Sequence, residues 1–270
     1  MPSISTILGL ICGLGLFIAA VVAATNQYII FWSLPSVLLV FGGTTAAAFI
    51  SYDARDMFGA IVAIFAVFAR DRNPERKFRD DIQAILDLAI VQRNEGRIAL
   101  ENNIPRDYRK NAFVNFGVDL IISNYKPLDV RMMLSDIMMT NFNRGFTHAT
   151  ILKTMASYAP AFGMVGTVIG LIIILSSFGG DITQLGQGLS LALITTLYGI
   201  MFANFLFNPT SEKTARRVDN RQYRERLLLE GFVMLSERKS TLAIQDKLNS
   251  FLQPQFRYKS QVSATAAPSG

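Results

Sequence analysis

TMASYAPAFGMVGTVIGLIIILSSFGGDITQLGQGLSLALITTLYGIMFANFLFNPTS, residues 154–211, carries a single charge, Asp181. A hydrocarbon core is crossed by a helix of about 20 predominantly apolar residues. Residues 154–180 and 182–211 each exceed that length, so they read as two membrane-spanning helices joined near Asp181. Working outward, residues 1–52 contain no Asp, Glu, Lys or Arg and hold two further spans. The division falls at residues 4–24, a polar break at Thr25-Asn26-Gln27, and residues 31–51, with Pro35 tolerated in the first turn of the second helix. Ala23 and Ala24 resemble a signal-peptidase site, but the segment lacks a basic leader and its apolar run is too long. It is expected to stay as a span.

Composition agrees. The chain of 270 residues is 51% hydrophobic and 17% charged, with a mean hydropathy of +0.33, which is too apolar for an ordinary soluble protein of this length. A net charge of +6 raises nucleic acid as a partner, but the basic residues alternate with acids and lack interleaved aromatics, so nucleic-acid binding is set aside. A lone cysteine, Cys12, in an apolar run excludes an intrachain disulfide.

Charge also sets the orientation. Of the 26 Lys and Arg residues, 15 lie between Asp53 and Lys153 and 11 from Lys213 onward. The positive-inside bias places both segments in the cytoplasm, and four spans then put the N-terminus there too. The expected protein is all-α: a transmembrane hairpin over 1–52, a helical cytoplasmic domain over 53–153, a second hairpin over 154–209, and C-terminal cytoplasmic helices with a flexible tail over 210–270. Within the loop, Ile82, Ile85, Leu86, Leu88, Ala89 and Ile98 recur at helical spacing after an Asn73-Pro74 start. Lys126-Pro127 opens another helix carrying Val130, Met133, Leu134, Ile137 and Met138, a methionine-bearing face that reads as core. Residues 212–237 form a charged amphipathic helix.

Spans three and four present small and hydroxyl residues at helical spacing: Ala159, Gly163, Thr167 and Gly170 on one, Ala192, Thr196, Gly199 and Ala203 on the other. Such faces allow close helix packing in lipid. Thr167 lies 14 residues past Lys153 and Thr196 lies 16 before Glu212, so the two reach similar depth on antiparallel helices and form one polar patch, either packing or lining an ion path. Pro160 and Pro209 each remove an amide donor, freeing the carbonyls of Ala156 and Phe205. No metal cluster, phosphate loop or nucleophile–base pair is evident, and the sole histidine, His148, sits in the approach to span three, so an enzyme is not expected. Ion relays in membranes depend on a buried carboxylate, which these spans lack; a partner would have to supply it.

YAPAFGMVGTVIGL at 158–171, ALITTLYG at 192–199 and Asn208-Pro209 resemble the third and fourth spans of MotA/PomA flagellar motor stator subunits, within the wider MotA/TolQ/ExbB superfamily. RNEGRIALE at 93–101 resembles the family's cytoplasmic loop, and length and topology agree over nearly the whole chain. The resemblance implies a homo-oligomeric ring, a pentamer, in the bacterial inner membrane, surrounding a MotB/PomB-type single-span partner that carries the ion-binding aspartate. Ion flow then turns the ring and drives the rotor through the switch protein FliG. It implies rotor contact at Arg93 and Glu101, an ion pathway at Thr167, Thr195 and Thr196, and conformational coupling at Pro160 and Pro209. No cofactor is implied beyond the transported ion, sodium or proton; Thr167, Thr195 and Thr196 match hydroxyl positions common in sodium-driven relatives, which leans the ion to sodium, and proton-driven and TolQ/ExbB relatives carry threonines there too. Arg93 and Glu101 are eight residues apart, about two helical turns, so a shared face is expected. Two rival readings are a TolQ/ExbB-type energiser, whose family typically has three spans, and a non-conducting membrane scaffold.

Overall fold

The computed structural model describes residues 4–26, 28–66, 74–176 and 182–258, and all regular structure among them is helical. Helix α1 (Ile4–Ala24) stops before the polar Thr25 and Asn26, as its sequence predicts. After a 3-10 turn at Tyr28–Phe31, Ser33 caps α2 (Leu34–Val37), its hydroxyl accepting from the Ser36 amide. The second apolar helix thus starts later than residue 31, because Ser33 supplies the cap and Pro35 occupies the first turn. A π turn at Leu38–Gly42 leads into α3 (Gly43–Ser51), and α4 (Ala54–Ala66) follows.

Next come α5 (Pro74–Glu95), a 3-10 turn at Ile98–Leu100, α6 (Ala112–Ile122), capped by the Asn111 side chain, and α7 (Pro127–Ser176). The chain continues through α8 (Ile182–Met201), a π turn at Phe202–Phe207, α9 (Asn208–Ser236) and α10 (Thr241–Asn249). Two expectations of separate helices give way here. The helix opened by Pro127 and the third apolar stretch are one element of 50 residues, and α9 runs on past Pro209 instead of span four ending there. The reason is that a change from charged to apolar side chains alters the solvent a helix prefers, not its backbone hydrogen bonding. Asn73, the expected cap of α5, and Asp181 lie outside the described residues.

The chain divides into two compact units. One comprises residues 1–70 and 144–217. Its buried core is built largely of small residues, Ala48, Ala60, Ala156, Ala159 and Ala203, with Met57, Leu152 and Phe207 filling between them. Three helical stretches, Tyr28–Ser51, Pro127–Ser176 and Leu185–Ser236, are long and apolar enough to cross a membrane, and Leu8–Ala24 is a shorter apolar helix. Many large apolar side chains stay exposed, including Leu16, Ile18, Met164, Ile172 and Leu175. Exposed apolar surface on this scale suits lipid or protein neighbours rather than water.

The other unit comprises residues 71–143 and 218–270, and its core has the large side chains of a water-soluble helical fold: Ile82, Ile85, Leu88, Phe113, Leu134 and Phe232 are almost wholly buried. Met133 and Met138 pack against it as expected, whereas Met132 and Met139 remain exposed. At its centre Asp81 is fully buried. Its carboxylate accepts from the Tyr108 hydroxyl at 2.6 Å and from Arg224 Nε and Nη2, each at 2.7 Å. A buried carboxylate needs such partners to remain charged. Burial, reinforced by the Asp81 charge, pushes the Tyr108 phenol far above its ordinary pKa.

Candidate functional site

The α7–α8 pair brings together most of the residues singled out in the sequence. Gly163, Gly166, Gly170, Gly188 and Gly199 are all buried. A β-carbon added to Gly199 would lie 2.7 Å from the Ala159 carbonyl oxygen and 3.1 Å from the Pro160 Cα. One on Gly163 would lie 3.0 Å from the Thr195 carbonyl, and one on Gly166 would collide with the Thr195 side chain. The two backbones are in contact, which only small residues permit.

This approach places the Thr167 and Thr196 hydroxyl oxygens 2.7 Å apart, half-buried. The Gly163 and Ala192 carbonyls complete a group of four oxygens: Thr167 lies 3.2 Å from the first and 3.3 Å from the second, and Thr196 lies 3.2 Å from the Ala192 carbonyl. Each hydroxyl has one proton, so one threonine donates to the other, which in turn donates to a carbonyl. Lone pairs are left over, and such a group can accept from a protonated ligand or coordinate a small cation. Thr195 behaves differently. It is fully buried, and its hydroxyl donates within its own helix, to the Leu191 carbonyl at 2.8 Å or the Ala192 carbonyl at 3.1 Å. The structure therefore joins Thr167 to Thr196 and leaves Thr195 packed against Gly166.

Pro160 lies inside α7, where Gly199 of α8 fits against it. Pro209 is the second residue of α9, immediately after the π turn, in which the Asn208 amide bonds back to the Ala203 carbonyl. The widened turn takes up the hydrogen-bond register that Pro209, lacking an amide proton, cannot continue. Beside it the Lys153 ammonium donates to the Asn208 side-chain oxygen at 3.0 Å, and Ser211 donates to the Ala149 carbonyl at 2.7 Å.

Arg93 and Glu101 belong to the other unit and are both exposed. They do not share a helical face, because α5 ends at Glu95 and Gly96 turns the chain at φ 89°, so Glu101 follows a separate 3-10 turn. Gly96 inside RNEGRIALE was the available signal for that break. Tyr198 is a further residue that sequence reasoning left aside. Its hydroxyl donates to the Phe31 carbonyl and accepts from the Ser33 amide at 3.3 Å, fixing α8 to the start of α2.

Residues 106–226 match the model of the MotA/TolQ/ExbB proton channel family, a class of membrane channel proteins. Chemotaxis protein PomA of Vibrio alginolyticus is 30% identical over 251 residues, covering 92% of this chain and 95% of that protein. Motility protein A of Aquifex aeolicus is 30% identical over 80% of this chain and 83% of its own length. The chain belongs to the MotA/PomA family of flagellar motor stator subunits. Its fold is that of the C. jejuni MotAB structure (TM-score 0.82, 21% identity, covering 96% of this chain and 99% of that one) and of the Bacillus subtilis flagellar MotAB stator complex (TM-score 0.79, 23% identity, 94% and 97%). It is a multi-pass protein of the inner membrane.

Proposed function

We propose that this stator subunit couples the passage of sodium ions or protons to torque at the Thr167–Thr196 oxygen group. The carrying observation is the 2.7 Å hydroxyl pair held between two helices whose backbones touch. The group lies in the uncharged stretches of α7 and α8, residues 154–176 and 182–201, so it can hand an ion onward but cannot by itself titrate one. The carboxylate comes from a MotB/PomB-type partner with a single span; the Bacillus subtilis structure that this fold matches is a MotAB stator complex. Copies of this chain encircle that partner as a homo-oligomer, a pentamer in our reading, with the exposed apolar faces of the membrane unit turned to lipid and to neighbouring copies.

In this reading α1, with 21 residues, is a fourth span. Both termini and the unit holding Asp81 are cytoplasmic, following the distribution of basic residues. Arg93 and Glu101 engage charges on FliG, and Pro160 and Pro209 let the paired helices flex as the ion passes. No cofactor takes part. The test is ion flux and swimming speed of cells in which Thr167→Val and Thr196→Val are co-expressed with the single-span partner. Val keeps the shape and removes the oxygen, so both variants are expected to assemble and to lose most flux; wild-type flux in both overturns the reading. Swimming speed against sodium concentration and against a protonophore identifies the ion.

A further inference from the structure

A cleft of about 800 Å³ opens where α5, α6 and α9 end and α10 begins. Arg93, Arg97, Arg238 and Lys239 all line it, and among the described residues no carboxylate does. Three C-terminal helix dipoles, worth roughly half a negative charge each, balance only part of that positive charge. Arg97 donates to the Asn124 side chain, and Lys239 lies 3.7 Å from the half-exposed Glu237. Arg93 and Arg238 have no side-chain hydrogen bond or ion pair among the described residues. Gln92 also lines the cleft.

The remaining lining is of two kinds. Ala89, Ile98, Ile122 and Leu235 make an apolar floor, with Ile98 largely exposed. Ser240 and Thr241 bring the N-terminus of α10 to the rim; the Ser240 hydroxyl takes the Ala243 amide, and the amides before it stay open to a ligand. The volume falls within the roughly 300–1,000 Å³ of small-molecule sites. Arginine forks and a helix N-terminus suit phosphate oxygens, and an apolar floor beside them suits a flat ring.

We propose that this cleft is a binding site for a nucleotide-sized organic phosphate, with phosphates on Arg93, Arg238 and Lys239 and the base over Ile98, Ile122 and Leu235. Occupancy covers Arg93, so the ligand would compete with any partner that uses this residue. Binding itself does not depend on the rotor role proposed for Arg93, and the test reads binding alone. The full chain in detergent micelles or nanodiscs is titrated with ADP, GDP, pyrophosphate and adenosine at constant ionic strength, up to about 1 mM. The wild type is compared with Arg238→Asn/Lys239→Gln, because Asn accepts the left-handed backbone of Arg238 (φ 53°) while removing its charge. Helix content and elution volume confirm that the double variant is folded. A nucleoside diphosphate binding about tenfold tighter than pyrophosphate or adenosine, and at least about tenfold weaker in the variant, supports the site. No binding by any probe, pyrophosphate binding as tightly as the nucleotides, or an unchanged affinity in the folded variant overturns it.

Discussion

Replacing Arg224 by Met isolates the buried charge of Asp81. The carboxylate has no exposed surface, while the arginine side chain is one quarter exposed, so the variant leaves the carboxylate with only the Tyr108 hydroxyl. Breaking a buried pair by removing one partner costs about 3–5 kcal/mol, because the survivor is charged and desolvated. Removing the whole polar group is another matter. The triple variant Asp81→Leu/Tyr108→Phe/Arg224→Met leaves no orphan, and such replacements are often near neutral. We expect it to lie within about 2 kcal/mol of wild type. The readout is amide exchange, followed by mass spectrometry, on the full chain in nanodiscs. Peptides from α5 in Arg224→Met should exchange at least about a hundredfold faster, and those from residues 163–175 of α7 should not change. If Arg224→Met costs under about 1 kcal/mol, or if the triple variant is as unstable as the single one, the reasoning from an unpaired buried charge fails.

Gly199→Leu has no room against Ala159 and Pro160, so flux and motility should be lost with the chain still inserted; normal flux would show that the two backbones need not touch. The pair Arg93→Glu and Glu101→Lys should slow swimming while leaving assembly intact, and normal torque would remove these residues from the rotor contact. Two hydrogen bonds from Arg131 hold the Glu230 carboxyl below its ordinary value of 4.5, and a depressed folded-state pKa gives stability that is present above that value and lost as pH falls below it. The thermal midpoint of wild type should therefore exceed that of Glu230→Gln at pH 7, by a free energy of about 1 kcal/mol at most given the half-exposed arginine, and the gap should close below pH 4.5; a constant gap from pH 7 to about 3.5 would contradict the sign.

The membrane-facing part was the most legible in the sequence, for a physical reason. Lipid excludes charge and forces backbone hydrogen bonds inside each segment, so an uncharged run is a helix of nearly determined length. The end of α1 at Ala24, just before the polar Thr25 and Asn26, agrees with the expected break for that reason. Spacing also carried the Thr167–Thr196 pairing, because antiparallel helices entered from charged boundaries must match depth. The Asp81–Arg224 pair joins residues 143 positions apart, and nothing local distinguishes them from a solvated charge. The hidden face of Thr195 was equally silent: whether a threonine looks at its neighbour or at its own carbonyl depends on where the facing glycine falls, here Gly166.

Helical periodicity is interrupted at two particular places, and they touch. A π turn is an α-helix carrying one additional residue, which advances the side-chain face by about 100°. The turns at Leu38–Gly42 and Phe202–Phe207 each insert such a step, so an apolar stripe counted at fixed spacing loses its phase there. Phe41 in the first turn packs on both Phe202 and Phe207 in the second, with ring centroids 5.5 and 6.3 Å apart. Phe207 is fully buried, so the contact is part of the membrane unit's core and not a surface irregularity. The register shift that Pro209 requires is thus held in place by aromatic packing from a second helix with its own shift. Straightening either turn would rotate its phenylalanines out of that contact, which explains why a turn with poorer backbone hydrogen bonding persists twice at the same spot.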